Sequence, residues 1–427
     1  MLKPDNTQGI TIKAKLILKD PADEVKLHHT MEQFRQACNF ISQYVFDNDF
    51  PMNQLKIQKE IYRDIREQYG LKSMMAQSAI RCTIARYKTV REQLFQNPYT
   101  FQDIYTEEYH TVYKDLRWLR KLVQFRRPQV DLVRNRDWSK LADGTLSINT
   151  LDGRVLATPV CSENFDKYFD GSWKLGGAKL IQNRNGKWML HVSATKQIDE
   201  LEMGDVKHVV GIDRGLRFLA TTCDEKGKVS FVSGKEIMRR RDRFTKTRER
   251  LQKKHTWSAK RALKRIENRE NRWMTDINHQ LSKTLVERYG EGTLFVLEDL
   301  TGVSFDENLN KRGRSGKRQL RSWAFYQFEQ FLTYKAKLAG GDVIKVSANY
   351  TSQRCPKCGG IHKEFRHHDT HEYVCENCGY RANDDLTGAR NIYLLGTLYV
   401  SGVENPKFGK PKAKKKAKEK AATNATA

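Results

Sequence analysis

Two pairs of cysteines near the C-terminus, Cys355-Pro-Lys-Cys358 and Cys375-Glu-Asn-Cys378, constrain this chain more than any other feature. Each pair is followed by glycine (Gly359, Gly379), and 16 residues separate the pairs. Four thiolates at this spacing close around one tetrahedral zinc ion, each pair folding into a tight knuckle over the metal. The glycines let the backbone turn and present amides to the sulfurs. Two unrelated thiol pairs, or a disulfide, would leave the match of both arms unexplained. His362, His367, His368 and His371 lie inside the loop. They are redundant once four thiolates bind, so they read as surface residues. Such a site is structural and does not by itself name a function.

The chemistry is carried by three acids placed around that site. Residues 380–392 put Leu386, Ala389 and Ile392 at helical spacing behind the polar Asn383, Asp384 and Asp385, which can cap a helix. Asp213 ends an apolar run in Val209-Val-Gly-Ile-Asp-Arg-Gly, which reads as a strand, a tight turn and a returning strand. Glu298 ends a second apolar run, Thr293-Leu-Phe-Val-Leu-Glu. An acid there is costly to bury unless it is paired or binds a metal. Acids at two strand ends and one helix start fit a ribonuclease H-like nuclease core. In that arrangement Asp213, Glu298 and Asp385 hold two divalent ions for phosphodiester hydrolysis. Magnesium suits an all-oxygen site.

Composition points to the same substrate. The chain has 427 residues, 77 Lys+Arg against 51 Asp+Glu, and a net charge of +26. Such an excess neutralises many phosphates. No long apolar run or signal peptide is visible, which argues against a membrane partner and for a cytoplasmic place. The remaining cysteines, Cys38, Cys82, Cys161 and Cys223, are scattered, as expected in a reducing compartment.

The pattern along the chain implies a split architecture. Residues 9–19 alternate as a half-buried strand does. From about 21 to 122 the pattern is helical, with stripes at Leu27, Met31, Phe34, Cys38 and Ile41, and at Ile80, Ile84, Tyr87 and Val90. Arg81, Arg86, Lys88 and Arg91 lie on the polar face, either solvated or turned to phosphates. From 128 to about 195 short strands are expected, with turns at Asp143-Gly144, Asp152-Gly153, Gly176-Gly177 and Asn185-Gly186. The simplest assembly is a β-barrel that uses the first strand and this region, with the helices inserted between them.

Residues 239–272 hold fifteen Lys or Arg and few apolar residues, enough for a narrow stripe on a helical hairpin. So one-sided a charge run repels itself unless a polyanion lies against it. The nucleic-acid contacts expected here are Arg240, Arg243, Lys253, Lys254, Lys260, Arg261, Lys264, Arg265 and Arg269. Beyond Pro406 the Lys/Ala-rich tail reads as disordered.

Five ordered motifs carry a resemblance: Gly-Ile-Asp213-Arg-Gly, Val-Leu-Glu298-Asp-Leu, Arg321-Ser-Trp323-Ala-Phe325, Thr351-Ser-Gln-Arg-Cys-Pro-Lys-Cys358-Gly and Asp385-Leu-Thr-Gly-Ala-Arg-Asn-Ile392. Together they resemble the TnpB family of transposon-encoded, RNA-guided DNA nucleases, whose descendants include the miniature type V CRISPR effectors. The match is strong over 209–395 and weaker over 1–200. The resemblance implies a multidomain α/β protein: a RuvC (RNase H-like) nuclease core with a zinc-ribbon insert, plus an N-terminal wedge β-barrel with an inserted helical recognition domain. The implied spans are 1–20 and 128–204 for the wedge, 21–127 for recognition, and 205–349 for the RuvC core with a basic hairpin at 237–275. The target-nucleic-acid-binding insert would span 350–380, the last RuvC motif and helix 381–400, and a basic tail 401–427.

Carried over residue by residue, Asp213, Glu298 and Asp385 would be the RuvC carboxylates, with Asp384 the alternative third acid. Cys355, Cys358, Cys375 and Cys378 would hold zinc, and Arg321 would contact the guide–target hybrid. The implied activity is a magnesium-dependent endodeoxyribonuclease. It would bind a guide RNA, as monomer or homodimer, recognise a short motif beside its double-stranded DNA target, and cut both strands with one site. A strand-transferring transposase and a nuclease-inactive RNA-guided repressor are the rival readings. At Thr387-Gly388 the family has Asn-Ala, and Gly388 is expected to weaken its helix.

Overall fold

The alternation of residues 9–19 is a strand. β1 (Thr7–Leu18) buries Ile12, Ala14 and Leu16 on one face and exposes Lys13 on the other. The computed structural model describes residues 6–160, 168–266, 268–300, 325–367 and 369–409. The chain divides into two units, Thr7–Gln197 and a second that runs from Ile198 onward.

In the first unit β1 is followed by α1 (Asp23–Asp47), α2 (Gln54–Tyr69), α3 (Ser73–Phe95), β2 (Tyr99–Gln102) and β3 (Tyr109–Val112). Then come β4 (Gln129–Leu132), β5 (Trp138–Lys140), β6 (Leu146–Thr150), β7 (Gly153–Val160), β8 (Lys174–Gln182) and β9 (Trp188–Gln197). Seven strands form one antiparallel sheet in the order β4-β8-β9-β1-β7-β6-β5. A bridge from Arg134 to Trp138 links the two edges, so the sheet is nearly closed. The helices lie between β1 and the rest of the sheet in sequence. Their stripes are buried as expected, from Leu27 to Ile41 in α1 and from Ile80 to Tyr87 in α3. Asn53 caps α2 by accepting from the amides of Leu55 and Lys56, and Gly70 ends it at φ 62°.

Two local expectations need correction here. The helical pattern stops at Phe95, and β2 and β3 then pair as a ribbon within the span expected to be helical. Gly176-Gly177 is no turn: it lies inside β8, where the register slips between Leu175 and Ala178. A side chain at Gly176 would meet Ser193 Oγ at 2.7 Å, so the pair forms a bulge pressed against β9.

The second unit contains β10 (His208–Asp213), β11 (Phe218–Asp224), β12 (Val229–Ser233), α4 (Lys235–Lys253), α5 (Trp257–Ile266), α6 (Arg269–Tyr289) and β13 (Thr293–Glu298). It continues with α7 (Phe325–Leu338), β14 (Asp342–Val346), the short strands β15 (Arg366–His367), β16 (Glu372–Val374) and β17 (Arg381–Asn383), and α8 (Asp384–Val400). Five strands form a mixed sheet, β12-β11-β10-β13-β14, in which β10, β13 and β14 run parallel. Both faces are covered, which is why β10 and β13 read as unbroken apolar runs. On one face Val210, Ile212, Phe295 and Leu297 pack with Leu281 and Leu285 of α6 and Phe328 and Leu332 of α7. On the other, Val209, Leu294 and Val296 pack with Ile392 and Leu395 of α8.

Glycines let α8 approach this second face closely. A Cβ at Gly211 would stand 2.4 Å from the Ala389 carbonyl oxygen and the Tyr393 amide nitrogen. One at Gly396 would stand 2.5 Å from Val296. The basic segment is three helices, α4 to α6, rather than the expected hairpin. Arg321, Trp323 and most of the tail lie outside the described residues. No helix among the described residues is long and apolar enough to cross a membrane.

Candidate active site and metal centre

Asp213 and Glu298 are the last residues of β10 and β13. These strands are parallel neighbours, with Ile212 opposite Leu297, so both carboxylates reach the same edge of the sheet at the same level. Asp385 arrives from the first turn of α8, where Asn383 accepts from the amides of Asp385 and Leu386. The next turn explains Gly388. A Cβ there would lie 2.8 Å from Asp213 Oδ2, so the residue that weakens the helix is the one that lets it pass over the first acid.

Each of the three carboxyls titrates above its ordinary range. For Asp213 the first cause is burial, followed by the charges of Glu298 and then Asp385. Burial also raises Glu298, against the Thr351 side chain and the guanidinium groups of Arg214 and Arg366. Asp385 is raised by burial and then by neighbouring Asp384. Asp385 Oδ2 is buried and has no hydrogen-bond partner among the described residues. Mutually repelling oxygens, one of them bare, fit a hard divalent cation such as magnesium.

Asp384 differs from its neighbour. It is buried, Arg366 Nε donates to its Oδ2 at 3.0 Å, and His371 Nδ1 lies 3.7 Å from Oδ1. His371 keeps its place at the surface, its side chain 41% exposed, while facing Asp384; His362 and His367 are exposed and His368 lies outside the described residues. Arg214 is a second cation that the sequence did not single out. Buried beneath the site, it donates from Nη2 to the Glu298 carbonyl oxygen at 2.6 Å, and its Nη1 lies 3.4 Å from Glu329 Oε2. Its position directly after Asp213 was the available signal. For Arg366 there was none, because only the fold brings it to Asp384.

The four cysteines form a tighter cluster. Cys355 Sγ lies 3.6 Å from Cys378 Sγ and Cys358 Sγ 3.5 Å from Cys375 Sγ, with all four sulfurs within 4.8 Å of one another. Four thiolates about 2.3 Å from one zinc sit at nearly this separation, far beyond disulfide length. The two knuckles repeat each other. Gly359 and Gly379 adopt φ 75° and 70° and donate to the carbonyls of Cys355 and Cys375, each at 2.9 Å. Cys355 and Cys375 donate back to the carbonyls of Gly360 and Tyr380, each at 2.8 Å. Among the described residues no other group of metal-binding side chains closes this far. The three carboxylates share an electrostatic neighbourhood instead.

The cluster is tied to α8. Asn391, fully buried, donates from Nδ2 to the carbonyls of Thr351 and Arg354, both at 2.7 Å. With Arg366 on Asp384, this fixes the cysteine loop to the helix that carries the third acid.

The nucleic-acid contacts expected in the basic segment are all at the surface: Arg240 and Arg243 on α4, Lys253 and Lys254 at its end, Lys260, Arg261, Lys264 and Arg265 on α5, and Arg269 at the start of α6. Arg240 lies 4.5 Å over the Trp273 ring. Arg241 and Arg248 turn inward onto Glu270, at 3.3 and 2.5 Å, and knit α4 to α6.

Comparison with known proteins agrees with this geometry. The family model described as "Probable transposase" matches residues 193–301, and that described as "Cas12f1-like, TNB domain" matches residues 325–392. The chain is 29% identical over 245 residues to the CRISPR-associated endodeoxyribonuclease Cas12f1 of Sulfoacidibacillus thermotolerans, covering 54% of this chain and 55% of that relative. It is 25% identical over 262 residues to a TnpB-like protein of Methanocaldococcus jannaschii, covering 60% of this chain and 91% of the other. Against the Cas12f1 relatives it spans about half their length, 55% and 46% for two of them. A cryo-EM structure of a Cas12f1–sgRNA–target DNA complex aligns with TM-score 0.54 at 11% identity, over 91% of this chain and 99% of that chain. At that identity the likeness is one of fold.

Proposed function

The chain belongs to the TnpB family, and from that premise we propose that it is an RNA-guided DNA endonuclease with a single RuvC-type site. The observation that carries the reading is the meeting of Asp213, Glu298 and Asp385 at one sheet edge, with a buried carboxylate oxygen left without a partner among the described residues. The strand order β12-β11-β10-β13-β14 and the helix laid over β10 support a ribonuclease H-like core. Magnesium ions bound by the three acids would supply water activation and stabilise the leaving oxygen of a phosphodiester.

The rest of the work falls to the chain's own residues. Arg214 fixes the end of β13, and with it the Glu298 backbone. Arg366 offsets part of the repulsion at all three acids. The cysteine cluster, with zinc bound, holds the loop that presents Arg366. Exposed cations of α4 to α6 meet phosphates without reading bases, and sequence is left to pairing between guide and target. In the same reading the nearly closed sheet (1–20 and 128–204) is the wedge, 21–127 the recognition domain and 350–380 the target-nucleic-acid-binding insert.

Purification followed by sequencing of bound RNA tests the reading. The expected result is one discrete structured RNA and, once its guide is matched to a plasmid, magnesium-dependent cutting of both strands. Asp213→Ala should retain the RNA and lose the cutting. No bound RNA, with binding to transposon-end DNA instead, would establish a strand-transferring transposase. Bound RNA with target binding and no cutting by the parent would establish a repressor.

A further inference from the structure

The β2–β3 ribbon of the Thr7–Gln197 unit has no part in the site above. Every residue of both strands is exposed, although a two-stranded ribbon is marginal without cover. Its register sets Tyr99 opposite Val112 and Phe101 opposite His110, so these four share one face. Their rings continue in a ladder. Trp118 lies 6.4 Å from Tyr99, Tyr99 stacks 5.8 Å from Phe101, and Phe101 lies 5.6 Å from His110. Tyr99 is 51%, Phe101 39% and Trp118 48% exposed. Phe95, at the end of α3, stacks on Tyr113 at 4.7 Å and fixes the root of the ribbon to a helix. A contiguous aromatic face left in water marks a recognition surface.

Charge selects what covers it. Residues 114–127 hold six Lys or Arg against a single acid, Asp115. Lys114 Nζ lies 5.9 Å over the Trp118 ring, and Arg120, Lys121 and Arg126 line a hollow of about 630 Å³ with Phe46. The acids of the ribbon, Asp103, Glu107 and Glu108, are gathered in its turn, at the end of the ladder opposite Trp118. An apolar protein partner gives no reason for cations beside the rings, whereas a polyanion with flat faces does. Of the exposed hydroxyls on the ribbon, the Tyr99 phenol lies on the ladder face, whereas Thr100, Thr111 and Tyr109 alternate onto the opposite one. The Tyr99 phenol offers a partner to a ribose 2′-hydroxyl, which deoxyribose lacks.

We propose that the ladder of Trp118, Tyr99, Phe101 and His110 is a stacking platform for an unpaired stretch of RNA, with residues 114–127 holding its phosphates. The proposal rests on the RNA-guided reading for the source of that RNA, and on the ribbon alone for the chemistry.

The test uses the full chain, free of magnesium and target DNA, with a uridine dodecamer carrying one thiouridine. Ultraviolet crosslinks should map to residues 99–118. The variant Tyr99→Leu/Phe101→Leu/Trp118→Leu, which keeps apolar surface, should bind the dodecamer about ten-fold more weakly or worse with the salt slope preserved. An abasic dodecamer should bind parent and variant alike. Arg120→Gln/Lys121→Gln should flatten the salt dependence instead, which keeps the test open if the leucine variant fails to fold. Crosslinks confined to other segments, or equal affinity of parent and leucine variant, overturn the platform. A thymidine DNA dodecamer that binds as well as the uridine one overturns the assignment to RNA. A changed oligomeric state in the leucine variant, at unchanged affinity, makes the face a self-contact and overturns it as well. No cleavage is read, so cutting that survives Asp213→Ala would sink the nuclease reading and leave this result standing.

Discussion

The cysteine cluster and the carboxylate site both gather ligands of like charge, and they do so by opposite means. All four sulfurs come from one short stretch, Cys355 to Cys378, and each knuckle is closed by hydrogen bonds between residues at most five apart. The three carboxylates come from Asp213, Glu298 and Asp385, and no local hydrogen bond brings them together. Sheet register levels the first two, and a missing side chain at Gly388 admits the third. A ligand set built by turns is encoded by spacing; one built by packing is only as accurate as the fold that carries it.

The sharpest way to break this comparison is at two adjacent acids. Asp385→Asn should reduce cleavage about 10²–10³-fold, the cost typical of losing one preorganised electrostatic partner. It should also raise the melting temperature of chelated protein. The Asp385 carboxyl is raised above its unfolded value of 3.8, so it contributes stability only while protonated. That contribution is lost as pH climbs from there through the raised value, and the amide removes the dependence. Asp384→Asn should do the reverse: a lower melting point, with stability reduced by about 1–3 kcal/mol, as Arg366 loses its charged partner, and a smaller loss of cleavage. If cleavage instead survives in Asp385→Asn and fails in Asp384→Asn, packing has positioned the other acid.

Next in size is loss of the cluster. Metal analysis of the parent should find about one zinc per chain, and Cys355→Ser should abolish it. Because Asn391 and Arg366 tie the cysteine loop to α8, proteolysis should then open residues 350–383 while the five-stranded sheet stays protected. Cleavage should fall with it. Unchanged zinc content in the variant would dismiss the cluster as a metal site.

What the sequence disclosed divides along the same line. The cysteine spacing, the strand ends at Asp213 and Glu298, and the cap at Asn383 are local signals, and each lies where the pattern implied. The pairing of Arg366 with Asp384, the support from Arg214 and the anchoring by Asn391 depend on segments brought together from far along the chain, so no window of residues contains them. Propensity alone marks Gly388 as a weak helix position, because its contact is with a strand about 175 residues away. The ribbon at 99–112 is hidden within a helical span, since two four-residue strands interrupt that pattern too briefly to register.

Gly388→Ala sharpens the packing half of the comparison. In an open helix the change would add about 1 kcal/mol of stability. Here the new methyl would meet Asp213 Oδ2 at 2.8 Å and its Cγ at 3.2 Å, so α8 or the carboxylate must shift by a few tenths of an ångström. Cleavage should fall about ten-fold, with zinc content unchanged, because a sub-ångström misplacement of a reacting group is costly and the cysteine knuckles are independent of it. Full activity with a raised melting point would show that the site tolerates more slack than its glycine suggests.

The smallest effect probes whether the knuckles keep their shape without metal. Hydrogen bonding from the Gly360 amide lowers the Cys358 thiol to about 7, whereas burial pushes Cys375 up to about 12. Thiolate is the reactive form. In zinc-stripped protein, iodoacetamide should therefore label Cys358 first and Cys375 last, as read by mass spectrometry of short time points. Below about pH 7 the Cys358 rate should fall roughly ten-fold per unit, following the thiolate fraction. Zinc should protect both. A single common rate for all four cysteines would mean that the turns dissolve once the metal leaves. The cluster would then depend on its ion as fully as the carboxylates depend on their sheet, and the contrast between a site built by turns and one built by packing would fail.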